Sequence, residues 1–162
     1  MTPPVPREIE DAARRRPWLE GHLHEFARFV AERPPAGPGG RSATARLDDL
    51  AIVFGCLDGQ PAAVREFEAR VGSHLSRLLR EEPDLGQELF ARLFLPWGSR
   101  EPRAVRYTGR GSLLGWVRAV ASNLVRSSYR RKDSRPPPPP PPEGPPPPGP
   151  HPQNPPRGSP PP

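Results

Sequence analysis

The chain has 162 residues, of which only 33% are hydrophobic, and it carries 29 prolines and a net charge of +6. Eighteen of the prolines fall in residues 136–162, which excludes packed helix or sheet from that segment and leaves one small core before it. No stretch approaches the roughly 18 apolar residues of a transmembrane helix, and a lone cysteine, Cys56, excludes an internal disulfide.

Residues 1–6 read as a flexible start, and residues 1–7 hold no apolar core for a secretion signal. Residues 18–32 place Leu19, Leu23, Phe26, Phe29 and Val30 near helical spacing and predict a short amphipathic helix. The Pro/Gly run 34–40 reads as a linker. A helix then carries Leu47, Leu50, Ala51, Phe54 and Leu57, with Asp48 and Asp49 in its first turn, where carboxylates suit the helix dipole. Asp58-Gly59 ends it and Pro61 opens the next, which aligns Val64, Phe67, Val71, Leu75 and Leu78. A further helix starts near Pro83 and presents Leu85, Leu89, Leu93 and Phe94. Residues 96–102 read as a loop and 103–111 as irregular and basic. Ser112 is placed to cap a last helix with Leu113, Trp116, Val117, Val120 and Leu124 on one side. No segment alternates with period two, so no sheet is expected. The tail from residue 136 is expected to be disordered or extended polyproline. The organisation expected is an N-terminal segment over 1–45, an all-α bundle of three to four helices over 46–135, and a disordered proline-rich tail over 136–162.

Charge is unevenly placed. Residues 1–99 carry 13 basic and 15 acidic side chains, whereas residues 100–135 carry 10 basic and 2 acidic ones. A positive segment beside a mildly acidic body suits a polyanionic partner. The chain has no phosphate-binding Gly-Lys-Ser loop and no nucleophile elbow. His22 and His24 sit two apart, on different faces of a helix, without a third ligand nearby, and Cys56 lies in an apolar run that favours an inert thiol. Neither an enzyme nor a metal or other cofactor is expected. In the last helix Trp116, Asn123 and Arg130 are spaced by seven and fall within about 40° of one line. Arg126 and Ser127 flank them. A ring, an amide and guanidinium groups bordering an apolar stripe are groups that hold nucleic acid.

Three stretches carry a family resemblance. Asp84-Leu-Gly-Gln-Glu-Leu-Phe-Ala-Arg-Leu-Phe94 resembles the D-L-x-Q-E-x-F-x-R-L-[FW] helix of region 2 in bacterial sigma-70 family factors. Arg106-Tyr-Thr-Gly-Arg-Gly-Ser-Leu-Leu-Gly-Trp-Val-Arg-Ala-Val-Ala-Ser-Asn123 resembles the stretch that follows, Y-x-G-R-G-S-L-x-G-W-[LV]-R-x-[IV]-A-x-N. The segment 58–67 is similar to the family's early helix, 124–131 continues into the family's arginine-rich helix end, and the resemblance as a whole covers about 47–131.

The resemblance implies a transcription initiation protein that joins RNA polymerase core and recognises or melts the minus-ten promoter element, and the lone cysteine with no apolar targeting segment makes the cytoplasm the expected location. By that likeness Asp84, Gln87, Glu88, Phe90 and Arg92 would meet the clamp coiled coil of the polymerase core. Arg110, Trp116, Asn123, Arg126, Arg130 and Arg131 would face promoter DNA. The family also allows an anti-sigma factor as a partner; no membrane partner is expected, because no stretch is long and apolar enough. Ser127 stands where the family often has aspartate, and Gly86 where an apolar residue is usual. A helix-turn-helix domain for the minus-thirty-five element is not found, and the proline tail occupies its place. That departure favours an alternative: a non-initiating clamp-binding regulator, or truncated sigma factor, that competes with intact ones.

Overall fold

A computed structural model describes residues 4–34, 43–80 and 84–134. The expected linker over 34–40 (save Pro34), Pro83 and the tail from residue 136 lie outside them.

Among the described residues the chain forms six α-helices and no strand: α1 (Arg7–Arg14), α2 (Leu23–Ala31), α3 (Ala43–Leu57), α4 (Pro61–Leu78), α5 (Asp84–Phe94) and α6 (Leu113–Asp133). The all-α expectation holds, and the bundle has four helices, within the three to four expected; the N-terminal segment has two where one was expected. α3 to α6 correspond to the predicted bundle, and α1, α2 and the turn between them share its core through Ile9, Ala12, Ala13, Leu19 and Phe26.

α1 is a helix the sequence pattern concealed. Its buried face is Ile9, Ala12 and Ala13, so its stripe holds one large apolar residue. Glu8 and Glu10 in the first turn and Arg14 in the last complement its dipole. The single helix expected over 18–32 is instead two pieces, a 3-10 turn (Pro17–His22) followed by α2. Pro17 opens the turn and Gly21, a poor helix former, lies before the break at His22 (φ −124°). The break turns Leu19 and Phe26 both fully inward.

α3 is the central element. Leu47, Leu50, Ala51, Ile52, Val53 and Cys56 are all buried, so this helix is enclosed on most sides rather than along one stripe. Because it begins at Ala43, Asp48 and Asp49 are not in its first turn, and their roles are not dipole contacts. Gly59 adopts φ +73° and Gln60 N–H donates to the Gly55 carbonyl at 2.8 Å, which closes α3 and turns the chain into α4 at Pro61. Gly55 marks the closest approach: a Cβ there would lie 2.4 Å from Ala63 Cβ and 2.5 Å from the Trp18 ring.

Phe67, Val71 and Leu75 of α4 face the core, as do Leu85, Leu89, Leu93 and Phe94 of α5. Phe67 and Phe94 meet edge-on at 4.9 Å between ring centres, and Phe90 lies 5.1 Å from Phe94. The 96–102 loop contains a tight turn in which Trp97 and Arg100 exchange backbone hydrogen bonds around Gly98 (φ +59°). A second 3-10 turn (Arg103–Arg106) precedes α6. Ser112 caps α6 as expected, its Oγ accepting from Gly115 N–H at 3.1 Å, and Leu113, Val117, Val120 and Leu124 are buried. No described helix is long and apolar enough to cross a membrane.

Candidate nucleic-acid interface

The side chains along α6 divide between its core face and its borders. Trp116 is half-buried, while Asn123, Arg126, Arg130 and Arg131 are exposed. Trp116 leans on Tyr107, with ring centres 5.2 Å apart. Tyr107 is fixed in turn: its hydroxyl donates to the Gly111 carbonyl at 2.7 Å and lies 3.3 Å from Asp49 Oδ2. The same Asp49 oxygen accepts from Leu113 N–H at 2.9 Å, and Oδ1 accepts from Arg70 at 2.6 Å. Asp49, only 3% exposed, therefore holds three elements at once: it caps α6 from α3, anchors the aromatic pair and ties down α4.

The residues expected to face DNA fall into three neighbouring hollows. A groove of about 1160 Å³ runs between the 95–106 segment and α6. Trp116 and Val120 line it from α6, facing Trp97, and Arg92, Arg100, Arg103, Arg106 and Arg131 bring five guanidinium groups to it beside Glu101. Arg110 joins Arg106, Tyr107 and Trp116 around an adjoining hollow of about 380 Å³. Trp116 and Arg106 border both. Asn123, Arg126 and Arg130 line a separate hollow of about 500 Å³ with Ser127 and Tyr129, along the outer face of α6. Ser127 Oγ donates to the Asn123 carbonyl at 2.9 Å and so stays within its own helix.

No family model matches the chain, and no curated protein or solved structure matches it.

The residues expected to meet polymerase also separate. Asp84 and Gln87 are exposed on α5. Gln87 and the half-buried Phe90 border an apolar groove of about 490 Å³ between α4 and α5, lined by Phe67, Leu75, Leu79 and Leu93. Glu88 is committed elsewhere: it pairs with Arg92 one turn on and lies 3.7 Å from Arg131 of α6. Arg92, expected on the polymerase side, lines the arginine groove. The two expected surfaces thus meet at Glu88, Arg92 and Arg131.

Several contributors were not singled out from the sequence. Trp97 is 68% exposed at the groove, yet a tryptophan in a Pro/Gly loop follows no periodicity. Arg100, Arg103 and Arg106 were counted in the basic segment, but charge counting does not say which cations share a wall. Asp49 looked like one of two adjacent carboxylates.

The arrangement can clasp a chain of phosphates while flat rings lie against bases. No described group of three His, Cys, Asp or Glu side chains comes together to hold a metal ion. His22 instead lies 3.2 Å from the Gln60 amide and edge-on to Phe54. Burial pushes the Cys56 thiol up to about 12, with Glu66 and Glu68 adding to the effect, so it is not a nucleophile at neutral pH.

Proposed function

We propose that this chain is a sigma-factor-like transcription initiation protein, which joins RNA polymerase core and recognises or opens minus-ten promoter DNA. The observation that carries the reading is the groove between the 95–106 segment and α6, where Trp97 and Trp116 stand among five arginines. A duplex hides the faces of its bases, and arginine alone binds it without needing exposed rings. Aromatic plates beside cations suit nucleic acid whose bases are unstacked. The motif likeness over 47–131 supplies the partner and the promoter element. Gln87 and Phe90 beside the apolar α4–α5 groove support a protein contact there.

Binding of a labelled promoter bubble to the full chain with polymerase core tests the reading. Trp116→Ala removes one stacking plate, and a stacked base is worth about 1–3 kcal/mol. Bubble affinity is expected to fall roughly five- to 150-fold while fully paired DNA is affected less. Equal, weak binding of bubble and duplex, unchanged by Trp116→Ala, would refute the groove's role. Run-off transcription on pre-melted and closed templates separates initiation from competition. Inhibition on both, with initiation on neither, would leave the clamp-binding competitor.

A further inference from the structure

Three of the groove's arginines, Arg100, Arg103 and Arg106, sit on a segment with little regular structure of its own. Arg103 and Arg106 belong to a four-residue 3-10 turn, and Arg110 follows Gly109, whose φ is +74°. Short irregular segments are ordinarily the least stable part of a fold. Two buried arginines from other elements hold this one. Arg33, just beyond α2 and 7% exposed, donates to the Val105 carbonyl at 2.6 Å and the Tyr107 carbonyl at 3.0 Å, as well as to Phe29 O at 2.7 Å. Its guanidinium lies 3.5 Å over the Phe29 ring. Arg46 of α3, 8% exposed, donates to the Thr108 carbonyl at 3.3 Å and to the Arg33 carbonyl. The fit is close: a Cβ on Gly109 would fall 2.9 Å from Arg46 Cγ.

The chemistry selects arginine. Buried carbonyls need donors, and a planar fork with five N–H groups reaches several at once, where an ammonium cannot. Burial pushes both guanidinium pKa values down, which is the cost of placing cations there. The carbonyls at 105, 107 and 108 interleave with the side chains at 103, 106 and 110 that line the groove and its adjoining hollow. Fixing the former sets where the latter point. Arg33 and Arg46 both precede the segment that carries the motif likeness.

We infer that Arg33 and Arg46 are positioning residues of the nucleic-acid interface, through which α2 and α3 hold the 103–110 arginines in register for phosphate; this rests on the nucleic-acid reading above. The test compares the full chain with Arg33→Met. One arm is amide exchange of the unliganded proteins. The other is binding of a labelled single-stranded oligonucleotide across a salt series. Amides of 105–111 are expected to exchange at least about tenfold faster in the variant, with α4 and α6 unchanged. Affinity is expected to fall about tenfold, and the salt slope to become shallower by about 0.7 for each phosphate that an arginine no longer neutralises. A residue acting through the loop has no further effect once the loop arginines are gone. The loss should therefore vanish in an Arg103→Ala, Arg106→Ala, Arg110→Ala background and persist in an Arg130→Ala background.

Unchanged loop exchange, an unchanged salt slope, or an equal loss in both backgrounds overturns the inference. Should Arg33→Met loosen the whole fold, Arg33→Lys, which keeps the charge and the stem, is read in the same way. Global loosening there too would assign Arg33 to the fold and also overturn it. Failure of the unaltered protein to bind the oligonucleotide brings down the nucleic-acid reading itself. Normal binding by both proteins brings down only the positioning role.

Discussion

Asp49 and Asp48 are adjacent in sequence and do different work. Asp49 faces inward, accepting from Leu113 N–H and Arg70 and lying beside the Tyr107 hydroxyl. Asp49→Ala leaves that N–H without its acceptor and Arg70 without its carboxylate. Arg70 is 41% exposed and can turn to water, which reduces the loss. The expected destabilisation is about 2–3 kcal/mol in denaturant unfolding, and less for Asp49→Asn, which keeps an acceptor. Asp48 faces the other way, towards Arg15 at 2.9 Å and Arg16 at 2.8 Å, and the nearly buried Arg16 also grips Glu66 at 2.7 Å. Burial alone would raise the Asp48 pKa, but hydrogen bonds from Arg15 and Arg16 outweigh it and hold the carboxyl below its ordinary value. A carboxyl lowered in the folded state contributes stability that is fully present above its unfolded pKa of about 3.9 and is lost as pH falls through the folded value. Wild type is therefore expected to exceed Asp48→Asn in stability at neutral pH, with the gap closing below about pH 4. A gap that stays constant from pH 7 to pH 3 would show that Asp48 is not linked to folding.

At the scale of elements, helix junctions rest on small residues. Gly55 lets α3 approach α4 and the Trp18 ring so closely that a methyl group has no room. Gly55→Ala removes a glycine from a helix, which by propensity alone would stabilise by about 1 kcal/mol. Overpacking costs about 1–3 kcal/mol and is the larger effect here, because Ala63 Cβ belongs to a packed helix. Net destabilisation in thermal unfolding is the expected outcome. Helices α4 to α6 were legible because Phe67, Leu89, Val117 and their partners repeat at helical spacing, and the Ser112 cap was legible from its place before Leu113. α1 escaped because alanine buries a face without marking it. The 3-10 turn before α2 escaped because its geometry depends on what Leu19 and Phe26 pack against, which is decided by distant residues. In the candidate site Asn123 and Arg130, from the α6 line of residues seven apart, border a separate hollow, so only the Trp116 end of the groove was readable in the sequence. Its facing wall was not, since no local pattern brings Trp97 and Arg103 across from Trp116.

For the whole molecule, the question is whether the segment with the motif likeness stands alone. A bundle of roughly 90 residues is marginal by its surface-to-volume ratio. Here α1, the first 3-10 turn and α2 insert Ile9, Leu19 and Phe26 into the core around α3, and Leu19 and Phe26 are fully buried. At about 1.5–3 kcal/mol for each large side chain buried, these three contribute about 5–9 kcal/mol. That is comparable to the entire stability of an ordinary domain, about 5–15 kcal/mol. Their removal would also expose α3 along the face that covers Phe26 and Leu19, and would strip Arg16 from Asp48 and Glu66 and Arg33 from the groove loop. A fragment of residues 43–134 is accordingly expected to lack a cooperative thermal transition, and to regain one when residues 4–34 are supplied as a separate peptide. Circular dichroism melts of the fragment with and without that peptide make the comparison. A sharp melt of the fragment alone, near that of the full chain, would mean that the N-terminal helices only decorate a bundle that needs no help.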